Sequence, residues 1–563
     1  MKITAYVSIA YSNIFDDYDK IEIKTLLNNI PSKSALEVVG HFSAQIHSKE
    51  RDSRRQIEFL KIWLARLPNS VHKRINELIL KLAKESNVRI NFINNITNCL
   101  LSEHILANHN SLDRVSNLTP EQELDLFKAY LWCSQQWTDK LKSKENRERS
   151  TLDQRAAFLI RMQFPYQELV EFKDFRMQFI KATFFFKFCE SNEVFAEYLK
   201  IFYSEHKVNS WEEYLTFLLN IYIRKFEELK TSSITKINDD HKLVQEFVRQ
   251  YCVDVADFKM SDDFLSLREK PVYEIENNSF LFLNLNLIVD KIFQGVQFAL
   301  SKALIKNGAR YKGVLIQRFD HFKSIYGEEL SEKGLFYSIM ESTFEKNDYI
   351  KIDGNTLKRT LKDGEPDFYI RDKNKIYLFE YKDVIINAQT KHSYDFKVIY
   401  TELLKKFVAN RDGDAKGVTQ LVNSIKKIQN GEFNAVDEID KDNVIIYPII
   451  IFTDYTLNIA GVNYLLNKEM RKIIANRKID SRNVKNLVLI DIDILVKFQD
   501  LFRSKYLKIN NCLNEYIEYT TIRTPEIKQL GTFNMFIHDK TSKLKDYTPS
   551  LLFTEASKLL SKG

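Results

Sequence analysis

At 563 residues, with 44% hydrophobic and 28% charged residues, the chain is too long for one core and too apolar for disorder. Its five cysteines, Cys99, Cys133, Cys189, Cys252 and Cys512, form no CxxC pair, which argues against a zinc cluster or a disulfide framework, and no run of eighteen apolar residues is present to span a membrane. The net charge of +7 is unevenly distributed: residues 301–563 carry 43 Lys and Arg against 35 Asp and Glu, residues 1–300 carry 40 against 41.

Only 9 prolines and 14 glycines interrupt the chain, which favours long helices. The start, Met1-Lys2-Ile3-Thr4-Ala5-Tyr6, lacks the apolar core of a signal peptide. A reducing cytoplasm, with no membrane, is therefore the expected compartment. The basic surplus of the second half points modestly to a polyanionic partner.

In chain order, residues 3–9 read as a short strand, and residues 54–64 and 74–82 as amphipathic helices. The cluster Lys49, Arg51, Arg54 and Arg55 is expected to be a solvated helix face rather than a nucleic-acid contact. Thr119-Pro120-Glu121-Gln122 opens the next helix: Thr119 caps it, Pro120 takes the first turn, and Gln122 reciprocates in a capping box. More helices follow to about residue 230, among them one carrying Phe184, Phe185, Phe186 and Phe188. Phenylalanine in a helical region reads as core, not as a base-stacking platform.

Seams are expected near residue 235 and around 254–263. His104, His109, His206 and His241 are not spaced as metal ligands. From Pro271 the texture changes: residues 272–275 and 280–283 form a hairpin, and residues 285–304 a long helix. These boundaries give a helical domain over 1–235, divisible into two subdomains, a bridging region over 236–310, and a final domain over 311–563 with a C-terminal extension. No GxxxxGK[ST] segment occurs, so no P-loop ATPase is expected in this chain.

The final domain begins with a helix over 327–341 and a strand around 346–352. Gly364-Glu365-Pro366-Asp367-Phe368-Tyr369-Ile370 and Ile376-Tyr377-Leu378-Phe379-Glu380-Tyr381-Lys382-Asp383 then flank the polar turn 371–375, which predicts a two-stranded hairpin. Strand alternation puts Glu380 and Lys382 on one face, with Phe379 and Tyr381 on the other. A short hairpin brings Asp367 beside Glu380. Two carboxylates at that separation repel unless a cation lies between them, and Mg²⁺ is held by one or two carboxylates together with waters and phosphates.

Beyond Lys382 comes a charged segment with Lys391, His392, Lys397, Lys405 and Lys406, including a helix over 398–410. An amphipathic helix over 417–428 follows, carrying Gln420. Residues 443–453 and 487–495 are nearly continuous apolar runs, as expected of strands buried on both faces.

Pro366-Asp367 with Glu380-Tyr381-Lys382 resembles the motif of the PD-(D/E)XK nuclease superfamily, over about residues 320–500; the first 300 residues resemble no family. The resemblance implies an α+β protein, a large mainly helical N-terminal region followed by a restriction-endonuclease-like α/β domain with a mixed central sheet. It implies an Mg²⁺-dependent phosphodiesterase, with Mn²⁺ able to substitute. Asp367, Glu380 and the backbone carbonyl of Tyr381 would bind the metal. A helix glutamate joins them in many members, with Glu332 the first choice and Glu329 and Glu341 the alternatives. Lys382 would orient water or stabilise charge, and Gln420 matches the glutamine several branches place after the ExK strand. The implied substrate is nucleic acid, DNA favoured over RNA, in a prokaryotic defence or restriction setting. The helical N-terminal region would be a sensor, a target reader or a partner-docking platform, and its near-neutral charge favours docking a partner protein over stand-alone nucleic-acid binding. The rival expectation is a non-catalytic nucleic-acid-binding or assembly protein with a nuclease-like domain.

Overall fold

A computed structural model describes the chain except for residues 1–4, 48–51, 85–87, 143–150, 229–233, 346–347, 362–363, 522–525, 545–546 and 563. Lys49, Arg51, Lys346 and the seam at Ser232-Ser233 lie outside the described residues. The chain is α+β and forms two compact units. The first comprises Met1–Glu145, Leu169–Asp174 and Tyr203–Val296, the second Asn146–Glu168, Phe175–Phe202 and Gln297–Gly563. This division does not follow the three consecutive blocks expected from the sequence, because helices from the first 235 residues contribute to both units.

The first unit is mainly helical. Its helix Ser53–Leu64 is capped by Asp52, which accepts from the backbone N–H of Arg54 and Arg55. The helix Pro120–Lys142 opens on the expected capping box: Thr119 N–H donates to Gln122 Oε1 at 3.0 Å, and Gln122 N–H to Thr119 Oγ1 at 3.3 Å. The expected first strand is the short Ala5–Val7, paired in parallel with Val88–Ile90. The hairpin Val272–Glu276 and Ser279–Phe282 gains a third strand, Ile234–Lys236. The single long helix expected over 285–304 is instead broken into Leu285–Asp290 and Val296–Lys306, with the Gly295 N–H turned back onto Asp290 O, and from Gln297 the second of these belongs to the second unit.

The second unit is built on a mixed five-stranded sheet: β1 (Ile350–Asp353), β2 (Phe368–Asp372), β3 (Lys375–Lys382), β4 (Ile445–Phe452) and β5 (Val488–Asp491). The strands lie in sequence order. β1, β2 and β3 pair antiparallel, whereas β3, β4 and β5 run parallel. β4 is apolar throughout and buried after its first residue, as a strand covered on both faces must be. Pro448 is tolerated inside it because β5 pairs only from Ile449 onward.

The run 487–495 is strand only to Asp491. There the Asp491 carboxylate accepts from the Asp493 N–H and caps the helix Ile492–Lys497, so the second half is helical despite its apolar pattern. One face of the sheet is covered by helices that include Leu152–Gln163 and Gly417–Gln429: Ala156, Ile160 and Phe164 share a core with Leu378, Ile450, Leu421 and Ile425. Of the four phenylalanines expected in the core, Phe185 and Phe186 are buried in the helix Phe175–Ser191, whereas Phe184 and Phe188 are half-buried.

Candidate functional site

The hairpin β2–β3 turns through Lys373-Asn374, with Asp372 opposite Lys375 and Phe368 opposite Phe379. One step beyond that last pair, Asp367 meets the backbone of β3, and its Oδ2 accepts the Tyr381 N–H at 2.7 Å. Glu380 and Lys382 share a face, as strand alternation requires. Lys382 Nζ stands 3.1 Å from Glu380 Oε2 and 3.3 Å from Gln420 Oε1. Gln420 reaches it from the first turns of the helix α1 (Gly417–Gln429). Gly417 makes that approach close, since a Cβ there would lie 3.1 Å from Lys382 Cε. Glu380 is completely buried, and its second oxygen, Oε1, has no hydrogen-bond partner.

The expected helix over 327–341 runs as three consecutive segments, Phe319–Ile325, Tyr326–Phe336 and Tyr337–Phe344. The middle segment is a wide helix: the Tyr337 N–H reaches back five residues to the Glu332 carbonyl. Such geometry is rare at this length and recurs at functional sites. Within it, Glu332 Oε1 accepts from the Tyr337 hydroxyl at 2.7 Å. Gly354 packs against both this pair and the start of β2. Its N–H donates to Asp367 O at 2.8 Å, and a Cβ there would stand 3.0 Å from the Tyr337 hydroxyl and 3.1 Å from Asp367 Cα. Glu329 turns instead to Lys333 at 2.8 Å, and Glu341 is an exposed neighbour of Lys351. Of the three helix glutamates, Glu332 is the one that joins the cluster.

The electrostatics follow from crowding three carboxyls into a buried space. Burial raises the Glu380 carboxyl well above its ordinary range, Asp367 and Glu332 push it further, and Lys382 works against them. Burial, then the Asp367 charge, lifts Glu332 to about 7, opposed by the Tyr337 hydrogen bond and by Lys382. Burial would lower the Lys382 ammonium, but Glu380, Asp367 and Glu332 outweigh it and hold the group charged. Three acids around one ammonium retain a proton unless another cation takes its place.

A hard divalent ion suits the donors present: Asp367, the orphaned Oε1 of Glu380 and the Tyr381 carbonyl are all oxygen. Among the described residues, no three His, Cys, Asp or Glu side chains are grouped closely enough to hold a metal by themselves. An ion here would draw on two side chains, the main chain and water, with Glu332 reached through water.

Several residues around the cluster were not read from the sequence. Asp383, directly after Lys382, accepts from Ser331 Oγ at 2.6 Å, Thr453 Oγ1 at 3.0 Å and Lys323 Nζ at 3.1 Å. Burial works against its charge, yet Lys323, Ser331 and Thr453 together hold the carboxyl below its usual range. Because Ser331 gives its one proton to Asp383, the Tyr381 hydroxyl, 2.7 Å away, donates to Ser331. The Tyr381 ring also stacks on Phe336, with centroids 4.7 Å apart. The wide helix and the end of β3 are thus fastened together. Only the adjacency of Asp383 to the ExK triplet signals any of this in sequence; Ser331 and Tyr337 carry no such mark.

Comparison with known proteins returns no matching family model, no matching curated protein and no matching solved structure. Among the described residues no helix is long and apolar enough to cross a membrane.

Proposed function

We propose that this chain is an Mg²⁺-dependent phosphodiesterase of the PD-(D/E)XK type that hydrolyses nucleic acid, with DNA favoured over RNA and a role in prokaryotic defence or restriction. The observation that carries the reading is the position of Lys382 Nζ, in hydrogen-bond reach of both Glu380 and Gln420 at the end of the strand against which Asp367 is pinned.

Asp367, Glu380 and the Tyr381 carbonyl would hold the ion, with Glu332 completing its shell through water. When bound, the ion supplies Lewis acidity and neutralises charge on the phosphate. The residues of the chain do the rest. Lys382 is kept protonated by its three acidic neighbours, so it acts as a donor toward the phosphate oxygens rather than as a base. Gln420 accepts from that ammonium and fixes its direction. Water adds to phosphorus and releases a proton to bulk solvent, the P–O bond to the leaving nucleotide breaks, and the leaving oxygen takes up a proton from solvent. The basic surplus of residues 301–563 favours a polyanionic substrate for this unit, and the near-neutral first 300 residues favour partner docking over stand-alone nucleic-acid binding.

The test is incubation of the full chain with labelled duplex DNA, single-stranded DNA and RNA, with Mg²⁺, with Mn²⁺ and with chelator. Cleavage that needs the divalent ion and disappears in Lys382→Ala, while the fold is retained, is the expected result. A Lys382→Ala variant that cuts as fast as the parent would overturn the mechanism.

A further inference from the structure

The wide helix Tyr326–Phe336 needs something to hold it. Five-residue bonding is rare beyond a single turn, and an uncommon backbone persists only where its surroundings over-determine it. One contact that does so is steric: Gly334 lies so close to the helix Phe175–Ser191 that a Cβ would stand 2.6 Å from Phe188 Cδ1. A second is polar and centres on Ser331, which is completely buried and immediately precedes Glu332.

Asp383 is the acceptor on which the polar contact rests, and its two oxygens take protons from three elements. Oδ2 accepts from Ser331 Oγ on the wide helix at 2.6 Å. Oδ1 accepts from Thr453 Oγ1, just beyond β4, at 3.0 Å and from Lys323 Nζ, on the helix Phe319–Ile325, at 3.1 Å. Lys323 is fixed in turn: it donates to Gln297 Oε1 at 2.9 Å, and its ammonium stands 4.7 Å from the Tyr326 ring centroid. The Asp383 side chain is only 10% exposed, so these charge-assisted bonds are made largely out of water, where they are strong.

Strand alternation puts Asp383 with Tyr381, away from the face of Glu380 and Lys382, and both meet the same Ser331. Among the described residues, Asp383 bonds to Ser331, Thr453 and Lys323 and to none of the cluster's own side chains. Its influence on the candidate site therefore passes through its neighbours. The path is short: Asp383 fixes Ser331, and Ser331 fixes the turn of helix that carries Glu332. A carboxylate is the group this junction needs. An amide oxygen could accept on one side only, and its NH₂ would face a donor on the other.

We propose that Asp383 is a positioning residue for the divalent ion: through Ser331 it holds the wide helix in the register that presents Glu332 to Asp367, Glu380 and Lys382. The proposal rests on the phosphodiesterase reading and adds to it a residue outside the reacting groups.

The experiment is a double-mutant cycle on ion affinity, read apart from cutting. The full-length parent, Ser331→Ala, Glu332→Gln and the double variant are each titrated with Mg²⁺ and with Mn²⁺ by calorimetry. Ser331→Ala should weaken binding by about tenfold, the low end of what the partners of metal ligands carry, and Asp383→Asn should do the same. In the Glu332→Gln background Ser331→Ala should weaken it no further, because the carboxylate it positions is already lost. The same loss in both backgrounds marks a merely structural role and overturns the proposal, as does no loss in the parent.

Thr453→Val is the control, since it removes another donor to Asp383 without touching the wide helix. It should lower Tm while leaving ion affinity near that of the parent; a loss as large as that of Ser331→Ala overturns the route through Ser331. Should Asp383→Asn fail to fold, the cycle between Ser331 and Glu332 decides alone. Cleavage of labelled duplex DNA is scored on the same proteins. A parent that binds the ion and does not cut overturns the phosphodiesterase reading, and the cycle of affinities still decides the positioning role. A parent that cuts and shows equal losses in the two backgrounds overturns the positioning role alone, and a parent that binds neither ion overturns both.

Discussion

Asp367 reaches the backbone of the neighbouring strand: its Oδ2 accepts the Tyr381 N–H at 2.7 Å, which holds the carboxylate beside the two other groups, the Tyr381 carbonyl and Glu380, that the proposed ion would draw on. One side chain therefore has two duties, and substitutions can separate them. Asp367→Ala leaves a part-buried N–H unpaired and should cost about 1–3 kcal/mol of stability. Asp367→Asn keeps an acceptor oxygen for that N–H and should stay near parental stability, while losing the charge. Both variants should lose the heat of Mg²⁺ binding in calorimetric titration. An Asn variant that binds Mg²⁺ like the parent would remove Asp367 from the donor set.

Gly417 offers a test of geometry without touching a charged group. An added Cβ would sit 3.1 Å from Lys382 Cε and 3.3 Å from Phe407 O, so the lysine stem must move by a few tenths of an ångström. The glycine has no positive φ to protect, and alanine favours the helix it opens. Gly417→Ala should therefore leave stability unchanged or slightly higher, while cleavage falls on the order of tenfold through a displaced ammonium. Unfolding curves and initial rates measured on the same preparation check both signs at once.

The parts of this arrangement that a single sequence reveals are those written in local pattern. Two apolar runs around a polar turn pointed to the β2–β3 hairpin, and side-chain alternation along a strand put Glu380 and Lys382 on one face. Thr119 and Gln122 announced a helix start through their own hydrogen bonds. What periodicity does not encode is which core a helix joins: Leu152–Gln163 reads like its neighbours in the first unit but packs with the sheet. Nor does it encode a shift from four-residue to five-residue helical bonding, the shift that distinguishes the segment holding Glu332. The run 487–495 misled because its apolar residues hide a cap: Asp491 ends the strand by bonding the Asp493 N–H.

Tyr337 is the test of how Glu332 is oriented. Its hydroxyl donates to Glu332 Oε1 at 2.7 Å and has no other role in the proposed chemistry. Tyr337→Phe keeps the ring that packs near Phe336 and Phe368 and deletes one hydrogen bond, worth about 0.5–1.5 kcal/mol. The half-saturating Mg²⁺ concentration for cleavage should rise several-fold, with the rate at saturating Mg²⁺ changed less. A lowered saturated rate with unchanged Mg²⁺ dependence would mean that Tyr337 acts on the substrate and not on Glu332.

The buried acids also fix how stability should depend on pH. Glu332 is lifted to about 7 and Glu380 well above its ordinary range, so without a divalent ion the folded chain binds more protons than the unfolded chain does above the normal carboxyl range. A raised carboxyl contributes stability below the unfolded value near 4.5 and loses it as pH rises through the folded value. Lys382, raised from 10.5, adds no slope in this window. The metal-free protein should thus lose stability from these groups between about pH 5 and pH 8. On the proposed reading Mg²⁺ would replace the retained proton, so its stabilising shift in Tm should be small near pH 5.5 and larger near pH 8. Glu332→Gln should reduce that pH dependence, and a Mg²⁺ shift that is the same at both ends would mean the ion binds away from these carboxyls.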